Sequence, residues 1–420
     1  YRLQRKNLSQ LPVVHLCRTS DGGPMLRLSH DTCKENFEQK KQLFINISQL
    51  VLLDKRTGIQ RATRSLLLAL LEIVPHNIKI CPVYANTTQQ GFFYANRFMN
   101  ILCGEDLFPT ENFPVTYSCN DIFIGGMDFS PLVEMAQKDT LIQMHQCGVK
   151  IYFIVHDLIP CEYPQYCRDP IPHFFPQWIE YITQFDGALC CSHATAVSLS
   201  NWVNMHLSSP KDSFHIAWFH EGCDIENSAP TKGLPPEAPG TLEALEKRPT
   251  LLIVGTVEPR KGIHQLFSAI DILWKKGLDI NLVVVGKQGW KTEKLEEIFM
   301  QHPERKKRLF RLEAISDEYL SCVYKKSTVV IMASEAEGFG LPIIEAARYE
   351  KPLILRDIPV FREIAGEHAF YFSGLSPESL AMAIEQWFML YHEGKAPSTK
   401  GMPILTWKES AQMLLDKLPL

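Results

Sequence analysis

Residues 334–346, SEAEGFGLPIIEA, place Glu337 and Glu345 on either side of a Gly-Phe-Gly turn, with seven residues between them. The run before them, STVVIMAS, reads as a strand, and Pro342 suits the first turn of a following helix. Gly338 and Gly340 let the backbone approach a ligand closely and admit positive φ. Free N–H groups at such a junction are available to an anion or to sugar hydroxyls. Both carboxylates can reach the same crevice. A plain helix start with acidic residues favouring the dipole accounts for Glu345, but not for Glu337 and both glycines.

A second polar cluster follows another apolar run. After LLIVGT comes VEPRKG, which puts Arg260 and Lys261 in a loop just before a helix. Two cations beside a helix N-terminus make an anion site, because the exposed N–H groups and the dipole add to the charges. Solvated loop charges are the plainer alternative. The chain contains no Asp-x-Asp, the pair that holds Mg²⁺ on a diphosphate in metal-dependent transferases. Cationic side chains in place of a metal, and no metal site, are therefore expected.

Alternating strands and helices must position these residues. Strand-like runs occur at 42–53, 78–85, 121–126, 150–157 and 187–192, with helical patterns such as SPLVEMAQKDTLIQMHQCG and HFFPQWIEYITQF between the later ones. After the Pro/Gly/Ser-rich stretch 226–241 the alternation restarts, with strands at 250–256, 280–286, 308–314, 327–334 and 352–357. The pattern predicts two α/β domains, each a doubly wound parallel sheet, with no clear repeat between them. Ligands bind beyond the C-terminal ends of such strands, so a cleft between the domains is the expected site. The end, ILTWKESAQMLLDKL, reads as an amphipathic helix.

Composition narrows the class. The 420 residues are 45% hydrophobic and 21% charged, which is ordinary globular composition. A formal charge of −4 excludes a strongly basic nucleic-acid protein, and no nucleic-acid partner is expected. No apolar run reaches the ~18 residues of a membrane span, and the polar, basic start is not a signal peptide. The 12 cysteines are scattered without Cys-x-x-Cys, which predicts free thiols of a cytoplasmic protein rather than disulfides or a zinc site. The stretch ERKKRLFR is expected to form a solvated helix face, with contact to an anionic membrane surface as the alternative. Residues 1–41 read as a linker or appended segment, and with the missing initiator Met they point to excision from a longer protein.

At EGFGLPIIE the sequence resembles the signature of the retaining glycosyltransferases of family 4. VGTVEPRKG is similar to that family's pyrophosphate loop, and ISDEYLSCVYKKSTVVIMAS to the segment leading into the signature. DIPVFREIAGEHAFYF matches the continuation, and TGIQRATRSLL, VHDLIP and CCSHATA are similar to first-domain segments. The resemblance covers roughly residues 43–420. It implies the GT-B fold: two Rossmann-like, doubly wound domains facing a cleft, with the C-terminal helix crossing back to the first domain. It divides the chain into an acceptor-side domain at 42–228, a nucleotide-sugar-binding domain at 229–395 and the crossing helix at 396–420.

The resemblance also implies roles. Glu337 would hydrogen-bond the transferred sugar, with backbone N–H groups of Gly338, Phe339 and Gly340 and with Leu341 beside them. Glu345 would bind the ribose hydroxyls. Arg260 and Lys261 would neutralise the diphosphate and stabilise its charge as it leaves. Ile315 and its neighbours would flank the base, Gly58 would approach the diphosphate, and His156 would contact the donor sugar. The sequence departs from the family at Thr256, where an arginine is common, and at Gln60, where a second loop glycine is frequent. VGTVEPRKG, VHDLIP and WFHEGCDI look most like mannosyltransferases of bacterial O-antigen synthesis, often fused in tandem. The expected function is retaining, metal-independent transfer of mannose from GDP-mannose to an oligosaccharide or lipid-linked glycan, at or near the inner membrane face, fused to or associated with another glycosyltransferase domain. A nucleotide-sugar epimerase and a non-catalytic glycan-binding module are the alternatives.

Overall fold

A computed structural model describes residues 40–55, 57–207, 213–224 and 233–420. The expected segment 1–41, save its last two residues, and part of the expected boundary stretch lie outside the described residues.

The first sheet has seven strands: β1 (Lys41–Asn46), β2 (Ile78–Tyr84), β3 (Phe93–Tyr94), β4 (Ile122–Gly125), β5 (Lys150–Val155), β6 (Gly187–Cys190) and β7 (His215–Trp218). Their order is β3-β2-β1-β4-β5-β6-β7, parallel except where the two-residue β3 pairs antiparallel to β2. The second sheet has six: β8 (Thr250–Val254), β9 (Asn281–Val285), β10 (Leu309–Leu312), β11 (Val329–Met332), β12 (Leu353–Arg356) and β13 (Phe370–Phe372). Its order is β10-β9-β8-β11-β12-β13, all parallel. Each order reverses beside its first strand, which leaves a crevice at the C-terminal strand ends.

Both faces of each sheet are covered. Leu43, Ile45, Ile122 and Ile124 point into one core, while Phe44, Phe123, Ile151 and Phe153 point into another. Leu251 and Ile253 likewise separate from Leu252 and Val254 in the second sheet. Period-two alternation between two apolar layers is why these strands read as continuous hydrophobic runs.

Several elements differ from the sequence reading. The run 42–53 is strand only to Asn46, whose Oδ1 accepts from the Ser48 amide at 3.1 Å, and Ser48–Leu52 is a short helix. The helical pattern at 130–148 is two helices, Pro131–Ala136 and Lys138–Gln146. Gln137 between them is held by Nε2 donating to the carbonyls of Asn86 and Gln89 at 2.8 and 2.7 Å. ERKKRLFR is not a helix face. It runs from a turn into β10, Arg308 pairs with Glu304 and Asp279, and Arg311 pairs with Glu296 and Glu313.

The helix Trp407–Leu415 returns to the first domain and packs on Gly58–Ile73. Leu66, Leu70, Trp407 and Leu414 meet there, none more than 5% exposed. Burying such side chains is worth about 1.5–3 kcal/mol each. Gly222 allows the crossing, since a Cβ there would sit 2.5 Å from the Trp407 amide nitrogen. Asp224 Oδ1 accepts from that amide at 2.7 Å.

Candidate active site

The loop after β8 is seated by Gly262, whose φ is +65° and whose Cβ would lie 2.2 Å from the Ala333 carbonyl oxygen. No other residue fits without moving the backbone. This close approach brings residues 258–261 against the segment after β11, and the Glu335 amide donates to the Arg260 carbonyl at 2.8 Å. Arg260 Nη1 then lies 2.8 Å from Glu337 Oε2 and 2.9 Å from the Ala336 carbonyl oxygen. Lys261 Nζ donates to Glu337 Oε1, and Arg260 Nη2 is 2.6 Å from Glu258 Oε1. Burial opposes ionisation of Glu337, but Arg260 and Lys261 outweigh it and hold the carboxyl down at about 2. Burial pushes the nearby Asp157 and Glu258 carboxyls up, with Arg260 opposing in both cases. The structure thus gathers Glu337, Arg260 and Lys261 into one buried ionic cluster.

The glycine turn meets the first domain directly. The Gly338 carbonyl accepts from Ser192 Oγ at 2.6 Å and from Thr195 Oγ1 at 3.1 Å. A Cβ on Gly338 would lie 1.9 Å from the His156 carbonyl oxygen. Gly340, at φ +102°, precedes the helix Leu341–Arg348. The Phe339 ring is buried, 5.5 Å from the His220 ring. Leu341 packs against cores of both domains.

His156 contributes its backbone to this junction, while its ring points into the first domain. Nε2 is 3.0 Å from the Gly126 carbonyl oxygen and 3.1 Å from that of Met127. Two acceptors require Nε2 to carry the proton, and burial lowers the imidazole pKa, so the ring is neutral. Beneath it, Glu134 accepts from the Gly126 amide at 2.5 Å, from Asn46 Nδ2 at 2.9 Å and from Trp178 Nε1 at 2.8 Å. With neutral partners, burial dominates and raises that carboxyl to about 7.

Glu345 forms a second cluster. It lies on the helix Leu341–Arg348, 2% exposed, and Oε2 accepts from Tyr324 Oη at 2.6 Å. Oε1 accepts from Arg61 Nη2, reaching across from the first domain, and Arg61 Nη1 is 3.5 Å from Asp317 Oδ1. Sequence reasoning missed Arg61 and Tyr324. The available signal for Arg61 was its place three residues after Gly58 on the first turn of a helix (Gly58–Ile73) aimed at the cleft.

Gly58 is the first residue of that helix, and its Cβ would sit 4.0 Å from Leu341 Cδ1. Gln60 closes a capping box with Thr57 and also ties the preceding loop, accepting from the Lys55 amide at 2.8 Å and donating to the Leu53 carbonyl at 2.8 Å. Ile315 follows β10, half-buried against the second domain's core. Lys287 Nζ donates to the Lys55 carbonyl at 2.7 Å and Trp290 Nε1 to that of Tyr166 at 2.7 Å, so loops of both domains line the cleft.

Comparison with known proteins fits this geometry. Residues 237–397 match the family described as Glycosyl transferases group 1. The chain is 38% identical over 402 residues, 94% of its length, to the serotype-specific mannosyltransferase WbdA of Escherichia coli. That alignment covers 47% of the relative, so the chain spans about half its length. The O-antigen chain mannosyltransferase RfbU of Salmonella typhimurium is 29% identical over 34% of this chain and 40% of its own. Among solved structures, HepE of Anabaena with UDP and glucose superposes with a TM-score of 0.61 at 15% identity, over 90% of this chain and 100% of that one. Sucrose-phosphate synthase of Thermosynechococcus elongatus gives 0.62 at 15%, over 90% and 98%. The chain therefore has the GT-B fold, and its residues 237–397 match the family described as Glycosyl transferases group 1.

Proposed function

We propose that the protein transfers mannose from GDP-mannose to a growing polysaccharide or lipid-linked glycan of the O-antigen type, retaining the anomeric configuration and using no metal. The observation that carries this reading is the convergence of Arg260 and Lys261 on Glu337 at the strand ends of a glycosyl transferase domain. Mannosyltransferase relatives support the sugar. They weigh against the epimerase and the non-catalytic glycan-binding module.

In this reading the donor's diphosphate enters between the two cations and takes their charge from Glu337. The freed carboxylate then accepts hydrogen bonds from the transferred sugar, beside the amides of Gly338, Phe339 and Gly340. Ile315 flanks the base, and Gly58 opens the helix that faces the diphosphate. As the C–O bond to the leaving group lengthens, Arg260 and Lys261 stabilise the growing charge without reorganising, which is worth about 10²–10³ in rate per donor. The acceptor hydroxyl attacks from the face the diphosphate leaves, and the leaving phosphate takes its proton. Neutral His156, held by the Gly126 and Met127 carbonyls, fixes the first-domain strand end against which the glycine turn packs.

Among the described residues no helix is long and apolar enough to cross a membrane. Cytoplasmic action with peripheral contact at the membrane, alongside another glycosyltransferase domain, completes the proposal. A screen of GDP- and UDP-sugars with oligosaccharide acceptors, with and without EDTA, tests it. Transfer from GDP-mannose that survives EDTA is expected; transfer that collapses in EDTA contradicts the metal-free reading.

A further inference from the structure

We propose that Ser192 and Thr195, both in the first domain, are positioning residues for the transfer: they hold the Gly338 carbonyl and so aim the Phe339 amide of the second domain at a hydroxyl of the transferred sugar. This rests on the donor placement above and deepens it. Residues 191–195 run from the end of β6 into the helix His193–His206, and Ser192 caps that helix, its Oγ accepting from the Thr195 amide at 3.1 Å. Ser192 Oγ lies 2.6 Å and Thr195 Oγ1 3.1 Å from the Gly338 carbonyl oxygen, so both lone pairs of that oxygen are engaged. Cys191 Sγ donates to the His156 carbonyl at 2.9 Å and lies 3.4 Å from the Gly338 oxygen. None of the three side chains is more than 4% exposed. One carbonyl from each domain is therefore held by donors of a single buried turn.

A peptide unit is planar, and in the trans form its C=O and N–H point in opposite directions. Among the described residues the cis bond is Asp169–Pro170, so the Gly338–Phe339 bond is trans. With the Gly338 carbonyl turned to residues 192–195, the Phe339 N–H is turned away from them. The amides of Gly338, Phe339 and Gly340 have no acceptor among the described residues, although all three residues are buried. Buried N–H groups without an acceptor are rare, and three in succession mark a place where a ligand supplies the oxygens.

Aiming is needed because glycine at 338 lets this peptide unit flip by paired rotation about the bonds on either side. A flip would present the sugar with an oxygen in place of the N–H. The hydroxyls of Ser192 and Thr195 select the orientation that keeps the N–H toward the donor. Their turn is itself tied to the second domain, since Glu363 Oε1 and Oε2 accept from the His193 and Ala194 amides, each at 2.7 Å. The clamp thus exists only while the domains meet here, and opening the cleft releases the Gly338 carbonyl.

The test measures steady-state transfer from GDP-mannose and from each of its monodeoxy analogues. It compares the wild type with Thr195→Val, Ser192→Gly, their combination, and Thr195→Ser. Valine keeps the shape of threonine and glycine is accepted as a helix cap, so each change removes a hydroxyl and spares the helix. With GDP-mannose the combined variant should lower kcat by about 10²-fold, with a smaller rise in donor KM, and Thr195→Ser should keep most of the wild-type rate. With the analogue lacking the hydroxyl that Phe339 serves, the ratio of wild-type to variant rate should fall towards one. A merely loosened junction lowers the rate with every analogue by the same factor; that result overturns the proposal, as does a combined variant with wild-type kcat. Should the combined variant not fold, Thr195→Val against Thr195→Ser carries the same comparison. If the wild type does not transfer from GDP-mannose, the donor reading falls and takes the aimed amide with it.

Discussion

Arg260 Nη1 stands 2.8 Å from Glu337 Oε2, and Lys261 holds the other oxygen of the same carboxylate. The cations proposed for the diphosphate are thus paired with the carboxylate proposed for the sugar. Arg260→Ala leaves Glu337 and Glu258 short of a buried partner, and should cost about 3–5 kcal/mol in urea denaturation. Adding Glu337→Gln should recover part of that loss. Strict additivity of the two changes would show that the pair is not coupled.

Lys261→Met should lower kcat by about 10²–10³ with a smaller change in KM, because the charge it stabilises develops mainly as the diphosphate departs. Glu337→Ala should also act mainly on kcat, whereas Glu345→Ala should mainly raise the donor KM. The reverse pattern would mean that the two glutamates hold opposite ends of the donor from those assigned.

Two carboxyls give opposite pH signatures in thermal unfolding. Glu337 is depressed to about 2, so its stabilisation is present above the ordinary carboxylate range and disappears as pH falls towards 2. Glu134 is raised to about 7, so the folded state binds more protons than the unfolded one between the ordinary value and 7. Its contribution therefore falls as pH rises through that window. Stability should decline from about pH 5 to 7, and Glu134→Gln should make that decline shallower, Glu221, which burial also raises to about 7, supplying the remainder; an unchanged slope would show that Glu134 is not a source.

Gly338→Ala places a methyl 1.9 Å from the His156 carbonyl oxygen, and the turn must withdraw. Transfer activity should be lost while both sheets remain folded. Hydrogen exchange should quicken at 191–196 and 334–346, where Ser192 and Thr195 lose the Gly338 carbonyl. Unchanged exchange would locate the defect elsewhere.

Much of this fold was legible because its central strands are apolar runs buried on both faces, as in VVIM of β11 and NLVVV of β9. The edge strands β3, β7 and β13 were not, since β3 and β13 have only two and three residues and β7, HIAW, is not an apolar run buried on both faces. Ser48–Leu52 was hidden because LVLL suits helix and strand alike, and only the Asn46–Ser48 contact decides. At the site, Arg260, Lys261 and Glu337 could be found from their places after strands. The Arg61–Glu345 pair spans 284 positions, and no local pattern reports a contact made by two domains closing. Gly338 was read as room for a ligand; the structure shows that it also gives room to the His156 backbone.

The most direct test of the central claim is incubation with GDP-mannose, a mannose-terminated oligosaccharide and excess EDTA, with the product's anomeric carbon read by NMR. The account predicts an α-linked mannose, the configuration of the donor, formed at an undiminished rate. A β-linked product, or no transfer until a divalent cation is restored, would contradict it.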